Sequence, residues 1–268
     1  GSTWGRDLDV ALRLIDDVIA AGADVVKAQW LSSARVLAER RRAPGYRAHY
    51  GLLEYPLKWL AEMSERCHAR GAGFACTAYL DVDFRPVAYF ADIVKVASFE
   101  AGDLEFVRRV ATICEEESRE LVVSTGMMSL TEAHSVAVIA GRITVSLTLL
   151  HCVSAYPTPD DQAALGGIEA LRSRIGPSTT RVGYSDHTTT LMTGALAVMA
   201  GATMLEKHVR PIVADPLSPD VAFGALIPDD FGQYVAAVRM AGAMRGPIHK
   251  APQPCEAAMM PYRSGLPS

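Results

Sequence analysis

Leu8, Leu12, Ile15 and Ile19 recur at intervals of three and four, so they share one face of a helix that Gly22 stops. The apolar run from Asp24 to Gln29 then reads as a buried strand. The same alternation continues along the chain. Helical patterns cover Pro56 to Arg70, Asp81 to Phe90, Leu104 to Glu117, Leu165 to Ile175, Leu191 to Ala200 and Pro228 to about Arg245. The last of these sets Phe231, Val235 and Val238 on its inner face. Ser129 with Glu132 fits a capping box that opens a further helix ending at Gly141. Between the helices, short apolar runs predict strands at Ala72 to Thr77, Ile93 to Ala97, Leu121 to Ser124, Ile143 to Cys152, Val182 to Ser185 and Met204 to His208.

Strands separated by helical segments of this length imply a parallel sheet with helices outside it. The pattern yields seven strands and begins in a helix, whereas a closed (β/α)8 TIM barrel needs eight strands. The simplest reading is an α/β (β/α)8 TIM barrel whose first strand lies upstream of Gly1, with residues 1–268 forming one catalytic domain. A doubly wound open sheet is the rival, but the Gly-rich dinucleotide fingerprint that often marks it is absent from the sequence.

Composition narrows the class. The 268 residues carry a net charge of −4, with 50% hydrophobic and 21% charged residues, which suits a packed globular protein rather than a disordered chain. Mild acidity gives no footprint for nucleic acid or a membrane surface. The apolar stretch from Ala195 to Leu205 is broken by Gly201 and Thr203 and is too short to span a bilayer. Five scattered cysteines without a CxxC pair read as reduced thiols, and no secretory leader is visible, so a cytoplasmic location is expected. The basic run Arg40 to Arg42 beside Pro44 and Gly45 reads as an exposed loop, with a place at a pocket mouth as the alternative.

A barrel of this kind carries its active site at the C-terminal ends of its strands, and here many strands end in polar groups. Lys27 and Gln29 share a face of one strand, Thr77 ends the next, and Lys95 and Ser98 end a third. Ser124 and Thr125 follow, then His151, Ser154 and Tyr156, then Ser185 with His187, and Glu206 with His208. Lysines in apolar strands need an anion. Structural carboxylates could supply it, but two lysines among several hydroxyls describe a site for a small phosphorylated or carboxylated molecule. Either lysine could instead form a Schiff base. His187 and His208 end consecutive strands, so their imidazoles suit a divalent metal with open positions, with Asp186 and Glu206 as supporting partners or further ligands. His49, His68, His134 and His249 read as surface or packing residues, and His151 as a core histidine donating to a carbonyl.

The segments GADVVKAQ (Gly22 to Gln29), KVAS (Lys95 to Ser98), VSTGM (Val123 to Met127), LLHCVSAYPTP (Leu149 to Pro159), GYSDHT (Gly183 to Thr188) and GATMLEKH (Gly201 to His208) resemble, in order, the motifs of the N-acetylneuraminate (sialic acid) synthase family. The resemblance runs from about Gly1 to Arg263 and covers the barrel domain only. It implies a (β/α)8 barrel that condenses phosphoenolpyruvate with a sugar aldehyde, N-acetylmannosamine-like or another aldose, to a 2-keto-3-deoxy sugar acid plus phosphate. It further implies that His187 and His208 hold Mn2+ or Mg2+. Lys27, Thr77, Lys95, Ser98, Ser124 and Ser185 would bind phosphoenolpyruvate, and Gln29, Tyr156 and Asp220 would face the acceptor. A homodimer is implied in the same way.

Three departures accompany the resemblance. Thr3 and Trp4 occupy positions where the family carries Asn-His, and the preceding family Glu would fall upstream of Gly1. Gly224 stands where the family often has Ser. The chain stops soon after Arg263, where typical synthases continue into an antifreeze-protein-like domain. The alternatives are a relative of the KDO-phosphate and DAHP synthases, a Schiff-base aldolase through Lys95 or Lys27, and a non-catalytic barrel subunit.

Overall fold

A computed structural model describes residues 7–144, 146–176, 179–214, 216, 218–246 and 250–265. Thr3, Trp4 and His249 lie outside the described residues. In chain order the elements are α1 (Leu8–Ala20), β1 (Val25–Gln29), α2 (Ala34–Arg40), α3 (Arg47–Tyr50), α4 (Lys58–Ala69), β2 (Gly73–Ala78), α5 (Asp81–Phe90) and β3 (Ile93–Val96). They continue through α6 (Ser98–Ala101), α7 (Leu104–Glu116), β4 (Glu120–Ser124), α8 (Leu130–Gly141), β5 (Leu147–His151) and α9 (Gly166–Ile175). The last are β6 (Arg181–Asp186), α10 (Thr193–Met199), β7 (Leu205–Lys207), α11 (Pro219–Ala222) and α12 (Pro228–Arg245).

Local chemistry explains several boundaries. Asp7 accepts from the Val10 amide at 3.1 Å and starts α1, and Asp103 accepts from the Phe106 amide at 3.0 Å and starts α7. The Ser129–Glu132 capping box forms as the spacing predicts. Strand β5 is shorter than expected from the run Ile143 to Cys152. The amides of Ile143 and Thr144 both donate to the Ala140 carbonyl and prolong the turn that ends α8.

The seven strands among the described residues are parallel and pair in sequence order, β1 through β7. Side chains therefore divide by parity. Val26, Ala28, Val94, Val96, Leu121 and Val123 belong to the apolar layer that also takes in Leu14, Ile15, Phe74, Phe84 and Phe106 from around the sheet. The alternate positions face the barrel interior. Among the described residues the outer edges of β1 and β7 are unpaired, and they border a cavity of about 540 Å³, walled by Leu14, Ile15 and Val18 of α1 and by Val235 and Val238 of α12. The arrangement is that of a TIM barrel with seven staves described. No helix among the described residues is long and apolar enough to cross a membrane.

Candidate active site

Register brings the polar inner positions to one level. Gln29 pairs with Thr77, Thr77 with Lys95, and Ser185 with Glu206. Lys27 Nζ lies 3.3 Å from Glu206 Oε2 and donates to Thr77 Oγ1 at 3.5 Å. Ser185 Oγ donates to Glu206 Oε1 at 2.7 Å. Lys95, only 3% exposed, donates to Ser124 Oγ at 2.6 Å and to the Val96 carbonyl at 3.0 Å. Burial lowers the Lys95 pKa, with Glu206 opposing that fall and Lys27 adding to it. Burial also works against the Glu206 carboxylate, but Lys27, Lys95 and the Ser185 hydroxyl outweigh it and hold the group well below the usual carboxylate range. Two ammonium groups thus share one carboxylate, which leaves a positive layer lined with hydroxyls and suited to a small anion.

The two predicted histidines meet. His187 follows β6 and His208 follows β7, and their ring centroids lie 5.8 Å apart. His187 Nδ1 donates to the Val153 carbonyl at 2.6 Å, and His208 Nδ1 donates to Asp220 Oδ1 at 2.7 Å. Burial holds the His187 pKa down to about 4, so its ring is neutral near pH 7 and its Nε2 carries a lone pair. Fixing Nδ1–H on a carbonyl or carboxylate is the usual support of an imidazole metal ligand, and His187 Nε2, which faces Ser185 Oγ at 3.2 Å, is the ring's remaining donor atom. The donor set therefore fits a divalent cation held by His187 and His208. Among the described residues no group of three or more His, Cys, Asp or Glu could hold a metal together, so water or substrate oxygens would complete the coordination.

Asp186 is not a partner of these histidines, whereas Glu206 lies near enough to act electrostatically on both and reaches His187 through Ser185. Asp186 faces away from the interior and pairs with Lys207 at 3.1 Å, and both side chains are buried. One step of strand alternation separates each from its histidine neighbour, which is why the SDH and EKH segments split into an inner site and an outer ion pair. Glu206 faces inward but is bonded to Lys27 and Ser185. Asp220, expected at the acceptor, is fully buried with Oδ1 on His208. Tyr156 packs its ring against His187, with centroids 4.1 Å apart, and against Phe223 at 4.7 Å. His151 stacks on Tyr184 and lies 3.3 Å from the Ala163 carbonyl, a packing role as expected.

Ser98 Oγ accepts from the Gly126 amide at 3.1 Å and lies 3.3 Å from Cys152 Sγ. A Cβ at Gly126 would stand 2.3 Å from Ser154 Oγ and 2.8 Å from Ser98 Oγ, so only glycine lets these hydroxyls converge. Among the described residues Ser154 Oγ, which is buried there, has no hydrogen-bond partner. The basic run is not simply an exposed loop. Arg41 donates through Nε and Nη2 to buried Glu100 at 2.8 and 2.6 Å, and it lies over the rings of Tyr50, Tyr79 and Phe99. Strand alternation could have revealed Glu206 as the lysines' partner. Nothing in the sequence signals that Glu100 and Arg41 meet, because they lie 59 positions apart.

The NeuB family model matches residues 14–250. Pseudaminic acid synthase of Campylobacter jejuni is 30% identical over 259 residues, covering 89% of this chain and 71% of the relative. N,N'-diacetyllegionaminic acid synthase of the same species is 27% identical over 226 residues, covering 78% and 65%. The solved structure of N-acetylneuraminic acid (sialic acid) synthetase from Leptospira borgpetersenii, in complex with citrate, matches with a TM-score of 0.85 at 25% identity, covering 99% of this chain and 90% of that one.

Proposed function

The chain belongs to the NeuB family, and from that premise we propose that it condenses phosphoenolpyruvate with the aldehyde of an aldose, N-acetylmannosamine-like or another, to a 2-keto-3-deoxy sugar acid. The observation that carries this reading is the layer of Lys27, Lys95 and Glu206 set beside two imidazoles whose Nδ1 atoms are already engaged.

Lys27 and Lys95 hold the anionic donor, with Thr77, Ser98, Ser124 and Ser185 as hydroxyl partners. Gln29, Tyr156 and Asp220 form the acceptor side, where Asp220 acts by holding His208. His187 and His208 would hold a divalent cation, manganese or magnesium, which would supply Lewis-acid polarisation of the aldehyde oxygen. C3 of phosphoenolpyruvate attacks the aldehyde carbon, whose oxygen takes a proton and becomes a hydroxyl. Water adds at C2, and phosphate leaves with the bridging oxygen, which gives the ketone. Holding both substrates in one orientation at the strand ends provides much of the acceleration. A homodimer and a single catalytic domain over residues 1–268 belong to the same proposal.

Release of inorganic phosphate from phosphoenolpyruvate, with manganese and a panel of aldoses, tests the reading. Turnover that needs both metal and aldose, and that His187→Ala or His208→Ala abolishes without unfolding, supports it. Wild-type-like activity in either variant overturns the metal assignment. The burial that lowers the Lys95 pKa also suits a Schiff-base aldolase, so borohydride trapping with pyruvate is the companion assay. A covalent lysine adduct there, without phosphate release, would replace the synthase reading.

A further inference from the structure

Gln29 stands two residues beyond Lys27 on β1, about 7 Å further toward the mouth of the barrel. Its backbone is fully fixed. Residue 29 pairs with Thr77 in the sheet, and its carbonyl accepts from the Tyr55 hydroxyl at 2.8 Å. The end of its side chain is held as well, because the Tyr79 hydroxyl donates to Gln29 Oε1. Tyr79 is in turn immobile. Its ring lies in the apolar cluster with Leu31, Leu37, Leu53 and Leu80. Its carbonyl accepts from Arg40 Nη1 at 2.9 Å, and the Arg41 guanidinium lies 5.2 Å from its ring centroid.

A carbonyl oxygen can only accept, so the phenol must donate, and the amide nitrogen must take the other direction. Among the described residues Gln29 Nε2 has no hydrogen-bond partner of its own. We propose that Tyr79 is a positioning residue that fixes the Gln29 amide so that both its N–H groups face the acceptor, selecting an oxygen lone pair of the sugar, either an acyl carbonyl or a hydroxyl. The Tyr79 phenol stays protonated throughout the working range, since burial raises its pKa well above the ordinary tyrosine value. The inference rests on the acceptor reading of Gln29 in the proposed function.

Two measurements separate the inference from that reading. The first needs no turnover. In the amide NMR spectrum, the Gln29 side-chain pair, assigned by its loss in Gln29→Ala, shifts when Tyr79→Phe removes the donor. An unmoved pair overturns the proposal. The second measures phosphate release with the aldose that the wild-type chain uses fastest. Tyr79→Phe raises the KM for that aldose about five- to tenfold, the loss of one ordering hydrogen bond, and leaves kcat and the KM for phosphoenolpyruvate unchanged. In a Gln29→Ala background the same substitution has no further effect. An unaltered aldose KM, or an equal rise in both backgrounds, refutes the positioning role. Failure of the wild-type chain to turn over any aldose refutes the synthase reading, and the NMR result still decides whether Tyr79 holds Gln29.

Discussion

Replacing Glu206 by Gln keeps the shape of the side chain and removes a carboxylate that Lys27 and Lys95 share. At 3.3 Å from Lys27, unit charges interact by about 5 kcal/mol at an effective dielectric constant of 20. Two effects reduce what is lost. The Lys27 and Glu206 side chains keep some contact with water, which screens the pair. Losing a proton also caps the penalty on Lys95 at roughly 4.6 kcal/mol at pH 7, from an ordinary lysine pKa near 10.4. The expected net loss is about 2–4 kcal/mol, between the values for exposed and buried pairs. At about 2–4 °C per kcal/mol for a chain of this order of size, thermal melts followed by circular dichroism should drop by roughly 5–15 °C. The same melts with phosphoenolpyruvate or inorganic phosphate carry the diagnostic part. With its internal anion gone the site is more positive, so added anion should raise the melting temperature of Glu206→Gln by more than it raises that of the wild-type chain. A variant that melts with the wild type, or that gains less from the anion, would refute the view that these charges form an anion site.

The remaining predictions concern neighbouring groups. Asp220→Asn weakens the hold on His208 Nδ1, and manganese affinity measured by calorimetry should fall about 10- to 100-fold with little change in melting temperature; unchanged affinity counts against the orienting role. Asp186→Asn removes the carboxylate paired with Lys207, whose side chain is 3% exposed and keeps only the Thr188 carbonyl and the Tyr234 ring nearby, and should cost about 3–5 kcal/mol in urea unfolding. The double replacement Asp186→Asn with Lys207→Met, which keeps an Oδ1 acceptor for the Thr188 amide and hydroxyl, should recover much of that loss, and a double variant no more stable than the single one would contradict the ion-pair reading. Asp16 bonds Arg66 and Arg70, and its hydrogen bond with Arg66 lowers its pKa below 3.8 despite some desolvation. Its folded-state pKa is depressed, so its contribution is complete above the unfolded value and disappears as pH falls through the folded one. Asp16→Asn should therefore melt lower than wild type at pH 7, with the gap closing below about pH 3.8; a gap independent of pH would exclude the charge as its source.

The repeating helix and strand periods made the architecture legible. Asp81–Phe90 lies where its pattern predicts, and the Ser129 capping box closes as drawn. These features depend on neighbours within a turn or two of the chain, so sequence spacing contains the needed information. The stretch between Gln29 and Pro56 gave no clear period, and the short helices α2 and α3 there were not foreseen. The packing that holds them, such as Leu31 and Leu37 against Tyr79, comes from distant parts of the chain.

At the site the division is sharper. The order of the residues alone placed Lys27, Lys95, His187 and His208 at strand ends, because period-two alternation and the parallel sheet leave few other places for them. Only the folded chain decided which charges meet: Glu206 with the two lysines, Asp220 behind His208, Asp186 outside with Lys207, and Tyr79 on Gln29. Such pairings depend on strand register and on loops crossing between staves, so they join residues tens of positions apart, beyond the reach of any local pattern.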